Sequence, residues 1–287
     1  MTAPHEGFAS GASAAAGAID GGRSIDWSRT SVDYGAHRPG PPARLFDLFA
    51  ALGIGVPGQR VLDLGTGTGL VARELARRGA LVSGIDIAAG QIAEATRSAT
   101  AERLEIAFAV AGAEACPFAD ASFDAIVASQ CWMYFEIEPT IAEVRRLLRP
   151  GGVLVTTHFS WLPRADPVAR ASEALVLQLN PHWQGADWSG QIPAEPAWSQ
   201  GRARVQAMLW FDADVPFTHA SWRGRMRACR GVGATLPSAQ VEAFDRALAA
   251  WLEANVAPVF TVRHRIDAHL FDPCPDAQAA SVGSAPG

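Results

Sequence analysis

Lysine is missing altogether: the 24 basic residues of this 287-residue chain are all arginine. A GC-rich coding sequence accounts for that bias without any appeal to function. Against 29 acidic residues the arginines leave a net charge of −5 and a pI near 5.8. That balance, with no basic stripe, argues against a nucleic-acid-binding surface. Cysteine is scarce too. Cys116, Cys131, Cys229 and Cys274 are scattered with no C-x-x-C pair, so neither a disulfide framework nor a metal-ligand set is expected, and a reducing cytoplasm is the natural compartment. No basic run precedes an apolar one at the N-terminus, so no signal peptide is expected. No apolar stretch is long enough to span a bilayer, and there are no internal repeats. With 49% hydrophobic and 18% charged residues the chain is globular.

The most informative stretch is Val61-Leu62-Asp63-Leu64-Gly65-Thr66-Gly67-Thr68-Gly69-Leu70. A short apolar run with an acid in it leads into alternating glycines and threonines, and Val71–Arg78 continues with helical character. This is the pattern of a first strand, a tight turn and a helix start in an α/β sheet. Glycine lets a ligand lie against the backbone, and the helix-start N–H groups suit an anion such as a carboxylate. A dinucleotide fingerprint reads G-x-G-x-x-G/A, whereas here the spacing is G-x-G-x-G with Asp63 just before it. An acid at that point repels a pyrophosphate and suits an ammonium. The stretch resembles motif I of the class I S-adenosylmethionine-dependent methyltransferases. The resemblance makes Asp63, Gly65, Thr66, Gly67 and Gly69 cofactor-binding.

Further along, Leu81–Asp86 reads as a buried strand ending in an acid. The distance from Gly65 to Asp86 is close to the ~20 residues at which such an acid reaches a ribose; the competing reading is an N-cap for a helix over Ala88–Ser98. Leu104–Val110 reads as the third strand, followed by Ala111-Gly112-Ala113-Glu114. The family often has an aspartate where Gly112 stands, which leaves the Ala113 backbone as the safer adenine contact, with Glu114 beside it. Ser122–Ser129 matches the family's F-D strand, with Asp124 structural. Gln130, Cys131 and Trp132 then face the methyl-transfer site, and Tyr134 and Phe135 pack on the next helix. That helix, Ile141–Leu148, stops at Pro150-Gly151-Gly152, and Val153–Phe159 is the fifth strand. The L-L-R-P-G-G-x-L run is the most specific signature after motif I. The likeness, which covers residues 25 to 160, is to the methyltransferase type 11 group. It adds Tyr34, Arg38, Ile87, Gln91 and Gln130 to the cofactor-facing set, with Tyr34 and Arg38 closing over the cofactor; Arg38 capping the sheet edge is the alternative.

His158 stands near the end of the fifth strand, where imidazole suits general-base work; a hydrogen-bonded structural histidine is the competing reading. Residues 161–222 hold six of the nine tryptophans, most of them expected to pack. Ala169–Leu179 reads as a helix and Asn180–Gln200 as an irregular loop, Val205–Phe211 as strand six and Ser221–Cys229 as a helix. Arg223, Arg227 and Arg230 share a face, either pairing with an acidic substrate group or solvated, and Arg225 turns away. Substrate-binding candidates are Cys131, Trp132, Trp161 and Arg225. Ser238–Val256 is an amphipathic helix, and Phe260–Phe271 the last strand.

The resulting expectation is an α/β, Rossmann-like seven-stranded sheet, mostly parallel with an antiparallel last strand. Disordered tails span 1–24 and 276–287, and the domain spans 25–275 with a lid insertion about 160–204. The resemblance implies S-adenosyl-L-methionine as cofactor and methyl transfer to an O, N or C nucleophile of a small-molecule acceptor. No nucleic-acid, membrane or metal partner is expected, and a homodimer stays open. Two rivals share the motifs: an NAD(P)-dependent oxidoreductase, whose Tyr–Lys pair a lysine-free chain cannot supply, and a non-catalytic S-adenosylmethionine-binding protein.

Overall fold

In the computed structural model of the chain, the described residues are 19–20, 22–30, 33, 35, 37 and 39–273. Seven strands form one sheet: β1 (Arg60–Leu64), β2 (Leu81–Asp86), β3 (Ile106–Val110), β4 (Phe123–Ser129), β5 (Leu148–Trp161), β6 (Arg204–Thr218) and β7 (Val259–Asp272). Their order across the sheet is β3-β2-β1-β4-β5-β7-β6. All neighbours from β3 to β5 run parallel, and β7 is antiparallel to both β5 and β6. The expected architecture is therefore present.

The helices are α1 (Ala43–Ala51), α2 (Leu70–Arg77), α3 (Ala89–Ala101), α4 (Ile137–Leu147), α5 (Pro167–Leu179), α6 (His219–Arg227) and α7 (Ser238–Asn255). Alternate residues of β4 show why the sheet is covered on both faces. Ala125 and Val127 join one core with α1, α2 and α5 to α7, while Ile126 and Ala128 join a second with α4. Asp124 is structural: it accepts from the Arg60 N–H at 2.8 Å and from Arg149 at 2.8 Å.

Several boundaries move, each for a local reason. Helix α4 starts a turn before Ile141, because Pro139 lies in its first turn, where a missing N–H costs nothing. Strand β6 runs on through Pro216 to Thr218, as an edge strand tolerates proline. Helix α6 starts at His219 through a capping box between Thr218 and Ser221. The chain is also structured before residue 25, against the expected tail: Ile19–Asp20 pairs antiparallel with Arg23–Ser24. The expected boundary at 275 and the tail after it lie outside the described residues. The β5–β6 connection holds α5 and then an irregular run to Ala203 with one short 3-10 turn, Ala197–Ser199.

Candidate functional site

The glycine turn joins β1 to α2 with Gly65, Gly67 and Gly69 at φ of 61°, 56° and 76°. These are left-handed values that glycine adopts without strain. A Cβ on Gly65 would also meet the Cys131 Sγ at 2.8 Å, so the turn has no room for a side chain there. Asp63 points into this turn, where its carboxylate accepts from the Thr66 hydroxyl at 2.7 Å. It is 1% exposed, and burial pushes its pKa up to about 7 against the pull of that hydrogen bond. Asp86 ends the neighbouring strand and accepts from the Gly67 N–H at 3.0 Å and the Ala88 N–H at 2.8 Å. Burial raises its pKa as well. Two acids thus lie near each other at the ends of neighbouring strands, an arrangement that favours cationic or hydroxyl-bearing ligands over anions.

Asp63, Gly65, Thr66, Ser129, Gln130 and Phe159 line one cleft together with Pro39 and Pro41. Gln130 has φ of 65°, and its amide donates to the Ser160 hydroxyl at 3.4 Å. Ser129, Phe159 and the two prolines were not singled out in the sequence. Ser129 was within reach of that reading, because it is the last residue of a strand beside β1. Past the tip of β2, Ile87 is 70% exposed, an apolar surface open to a planar group.

The cofactor candidates divide. Asp63, Gly65, Thr66, Gly67, Gly69, Asp86, Ile87 and Gln130 come together at the strand ends. The Ala113 side chain is buried in the core on the α4 side of the sheet, which concerns its methyl and not the backbone expected to meet the adenine. Glu114 is engaged elsewhere, since its Oε1 accepts from the Glu136 N–H at 3.1 Å, at the start of α4. Gln91 is buried and donates to the Trp27 carbonyl at 3.2 Å rather than facing the cleft. Tyr34 and Arg38 lie outside the described residues.

None of the four substrate candidates lines the cleft. The Cys131 thiol donates to the Leu64 carbonyl at 3.0 Å, behind the glycine turn, and burial pushes its pKa well above the usual thiol range. Trp132 is 3% exposed and packs on Trp198 at 4.6 Å and Phe135 at 5.9 Å between ring centroids. Trp161 donates to Glu173 at 2.6 Å, and Arg225 is buried over its ring at 4.7 Å. These corrections share one cause. A residue's place after a strand was legible, but the face its side chain takes was decided by packing.

His158 gains a partner that the sequence did not show: its Nδ1 lies 3.0 Å from Asp267 Oδ2 on β7. The α6 arginine face is neither in the cleft nor solvated. Arg223 pairs with Asp245, and Arg227 bridges Asp33 and Asp245, each at 2.8 Å. Arg230 holds Asp20 at 3.1 Å and donates to the Tyr134 hydroxyl at 2.9 Å. Tyr134 therefore packs on Trp27 (5.3 Å between centroids) instead of on α4. Asp20 and Trp27 are thus tied to Arg230, Tyr134 and Gln91, contacts invisible to sequence reasoning because the partners are so far apart along the chain.

Residues 62–156 match the family model of a methyltransferase domain. The chain is 41% identical over 112 residues to a demethylmenaquinone methyltransferase of Beutenbergia cavernae, a match covering 38% of this chain and 44% of that protein. It is 33% identical over 145 residues to a ubiquinone biosynthesis O-methyltransferase of Alkalilimnicola ehrlichii, covering 49% and 57%. The chain thus spans only about half the length of these relatives. Among solved structures, an S-adenosylmethionine-dependent methyltransferase of Geobacter sulfurreducens in complex with S-adenosyl-L-homocysteine superposes with a TM-score of 0.52 at 23% identity, over 85% of this chain and 97% of that one. At that identity the likeness is one of fold.

Proposed function

We propose that this chain, whose residues 62–156 match a methyltransferase domain, binds S-adenosylmethionine between Asp63 and Asp86 and transfers its methyl group to a small-molecule acceptor. The observation that carries this reading is a buried acid, Asp63, and a half-buried one, Asp86, flanking a glycine turn that admits no side chain at Gly65. Asp63 suits the ligand's ammonium group, the α2 N-terminus its carboxylate, and Asp86 its ribose hydroxyls. Ile87 offers an apolar surface to the base. The Thr68 hydroxyl is buried in the same turn with no partner among the described residues, as fits a ligand-facing loop. A nicotinamide dinucleotide fits less well, because its diphosphate would lie against the buried Asp63.

The bound group would supply an electrophilic methyl on a sulfonium, whose neutral thioether is the leaving group. What the chain itself contributes is alignment and the exclusion of water. Gln130 and Phe159 shape the cleft end where the acceptor approaches. Tyr34 and Arg38 belong to this proposal as residues that cover the ligand. Titration calorimetry with S-adenosylhomocysteine and with NADH tests the reading. Binding of the first and not the second is expected; the reverse result overturns it.

A further inference from the structure

His158 and Asp267 form a pair that the cleft as described does not use. Resting on the reading of that cleft as the cofactor site, we propose that His158 Nε2 accepts the proton of a neutral hydroxyl on the methyl acceptor, with Asp267 as its positioning residue. The placement of the ring hydrogens decides which nitrogen is free. Asp267 Oδ2 has two imidazoles near it, His158 Nδ1 at 3.0 Å and His269 Nδ1 at 4.0 Å. His269 spends its Nε2 on the Pro193 carbonyl at 2.8 Å, and burial holds its pKa below the usual value. It is therefore a neutral ring whose hydrogen sits on Nε2, and it has none to offer Asp267. The donor to the carboxylate is the Nδ1–H of His158. That leaves the His158 Nε2 lone pair free to take a proton, the tautomer a general base requires.

Position supports the same assignment. Thr157 is the last β5 residue paired with β4, opposite Ser129, so His158 is the first to project past that strand. Phe159, next along, lines the cleft on the other face. Ser160 shares the His158 face and is held by Gln130, itself a cleft residue. One side-chain row, roughly 7 Å along a strand, separates the imidazole from that contact. The β5–β6 connection touches β7 on both sides of Asp267, through Gly190 on Arg265 at 2.6 Å and Pro193 on His269. It leaves the Asp267 side chain 3% exposed and that of His158 31% exposed. The carboxylate is shielded while the base stays open to a ligand and to water.

In the step, the acceptor's O–H bond breaks, its proton goes to Nε2 and the electron pair stays on oxygen as the nucleophile. The Asp267 carboxylate offsets the imidazolium charge, and water takes the proton from the exposed edge afterwards. An un-ionised hydroxyl is a poor nucleophile until its proton leaves, which is the task such a base fits.

The test uses the full chain with 15N-labelled histidine and S-adenosylmethionine 13C-labelled at the methyl, His158 being assigned by its loss in His158→Gln. Two results are expected: a neutral His158 ring with hydrogen on Nδ1, and cross-peaks between the bound methyl and that ring. Asp267→Asn should shift the ring toward the other tautomer while the methyl resonance stays bound, which a merely structural aspartate would not do. Hydrogen on Nε2 in the unaltered chain overturns the proposal, and so does bound methyl without cross-peaks to His158. Should Asp267→Asn not fold, the tautomer in the unaltered chain still decides. Failure to bind S-adenosylmethionine at all would sink the cofactor reading instead, and the ring tautomer would still test the His158–Asp267 pair separately.

Discussion

Asp63 sits where a single proton decides affinity. Burial pushes its pKa up to about 7, so without a ligand charge beside it the group is half protonated near neutrality. A ligand ammonium needs the carboxylate. Affinity for S-adenosylhomocysteine should therefore fall up to tenfold per pH unit below about 7 and level off above it. Calorimetry between pH 5.5 and 8 reads this, and a flat profile would place the ammonium elsewhere. In the ligand-free protein the same raised pKa works in the opposite sense. The stability Asp63 contributes is fully present below its unfolded value and is lost as pH rises toward 7. Asp86 is shifted in the same direction, but its role is tested by removal. Asp86→Ala takes away a charged acceptor of ligand hydroxyls, at about 1.5–3 kcal/mol for such a bond. Cofactor affinity should drop roughly 10- to 150-fold with the far-UV spectrum retained. Unchanged affinity would remove the ribose role.

Between elements, the consequential contacts join segments far apart in sequence. Arg230, just past α6, is ion-paired with Asp20 and donates to the Tyr134 hydroxyl, and the Asp20 carboxylate is 1% exposed. Arg230→Ala strands that carboxylate in the interior, which costs about 3–5 kcal/mol where a buried pair is broken from one side. Urea unfolding measures it, and the Asp20→Asn, Arg230→Met double variant should recover part of the loss. By contrast Arg164 and Asp187, both largely exposed, form a pair whose loss in Arg164→Ala should leave the unfolding midpoint where it was. The same distinction explains what the sequence could tell. The glycine turn, Asp63 and Asp86 were legible because strand, turn and helix N-terminus are neighbours in the chain. The partners of Arg227 and Arg230 were not, since Asp33 lies 194 residues from Arg227 and no local periodicity encodes such a meeting. Cys131 and Trp132 were placed after the correct strand, yet the Gly65 turn and the Trp198 ring drew them inward.

For the whole molecule, the question is whether the part matched by the methyltransferase family model and the part beyond it fold as one. The family match ends at residue 156, and most tryptophans lie beyond it. Yet a single apolar core runs through both parts. Val61, Val71 and Val82 beside the glycine turn belong to the same cluster as Trp161, Trp183, Trp222, Phe244 and Ile266. A continuous core makes local unfolding of either part expensive, so unfolding should be one cooperative transition. Ligand binding at the turn must then stabilise the distant tryptophans as much as the sheet. At 100 times its dissociation constant, S-adenosylhomocysteine adds about 2.7 kcal/mol to whatever unit it binds. Tryptophan fluorescence, dominated by residues after Phe159, and far-UV circular dichroism should move to the same higher denaturant midpoint. If dichroism shifts and fluorescence does not, the core is divided, and residues beyond β5 constitute a separate unit that the cofactor does not reach.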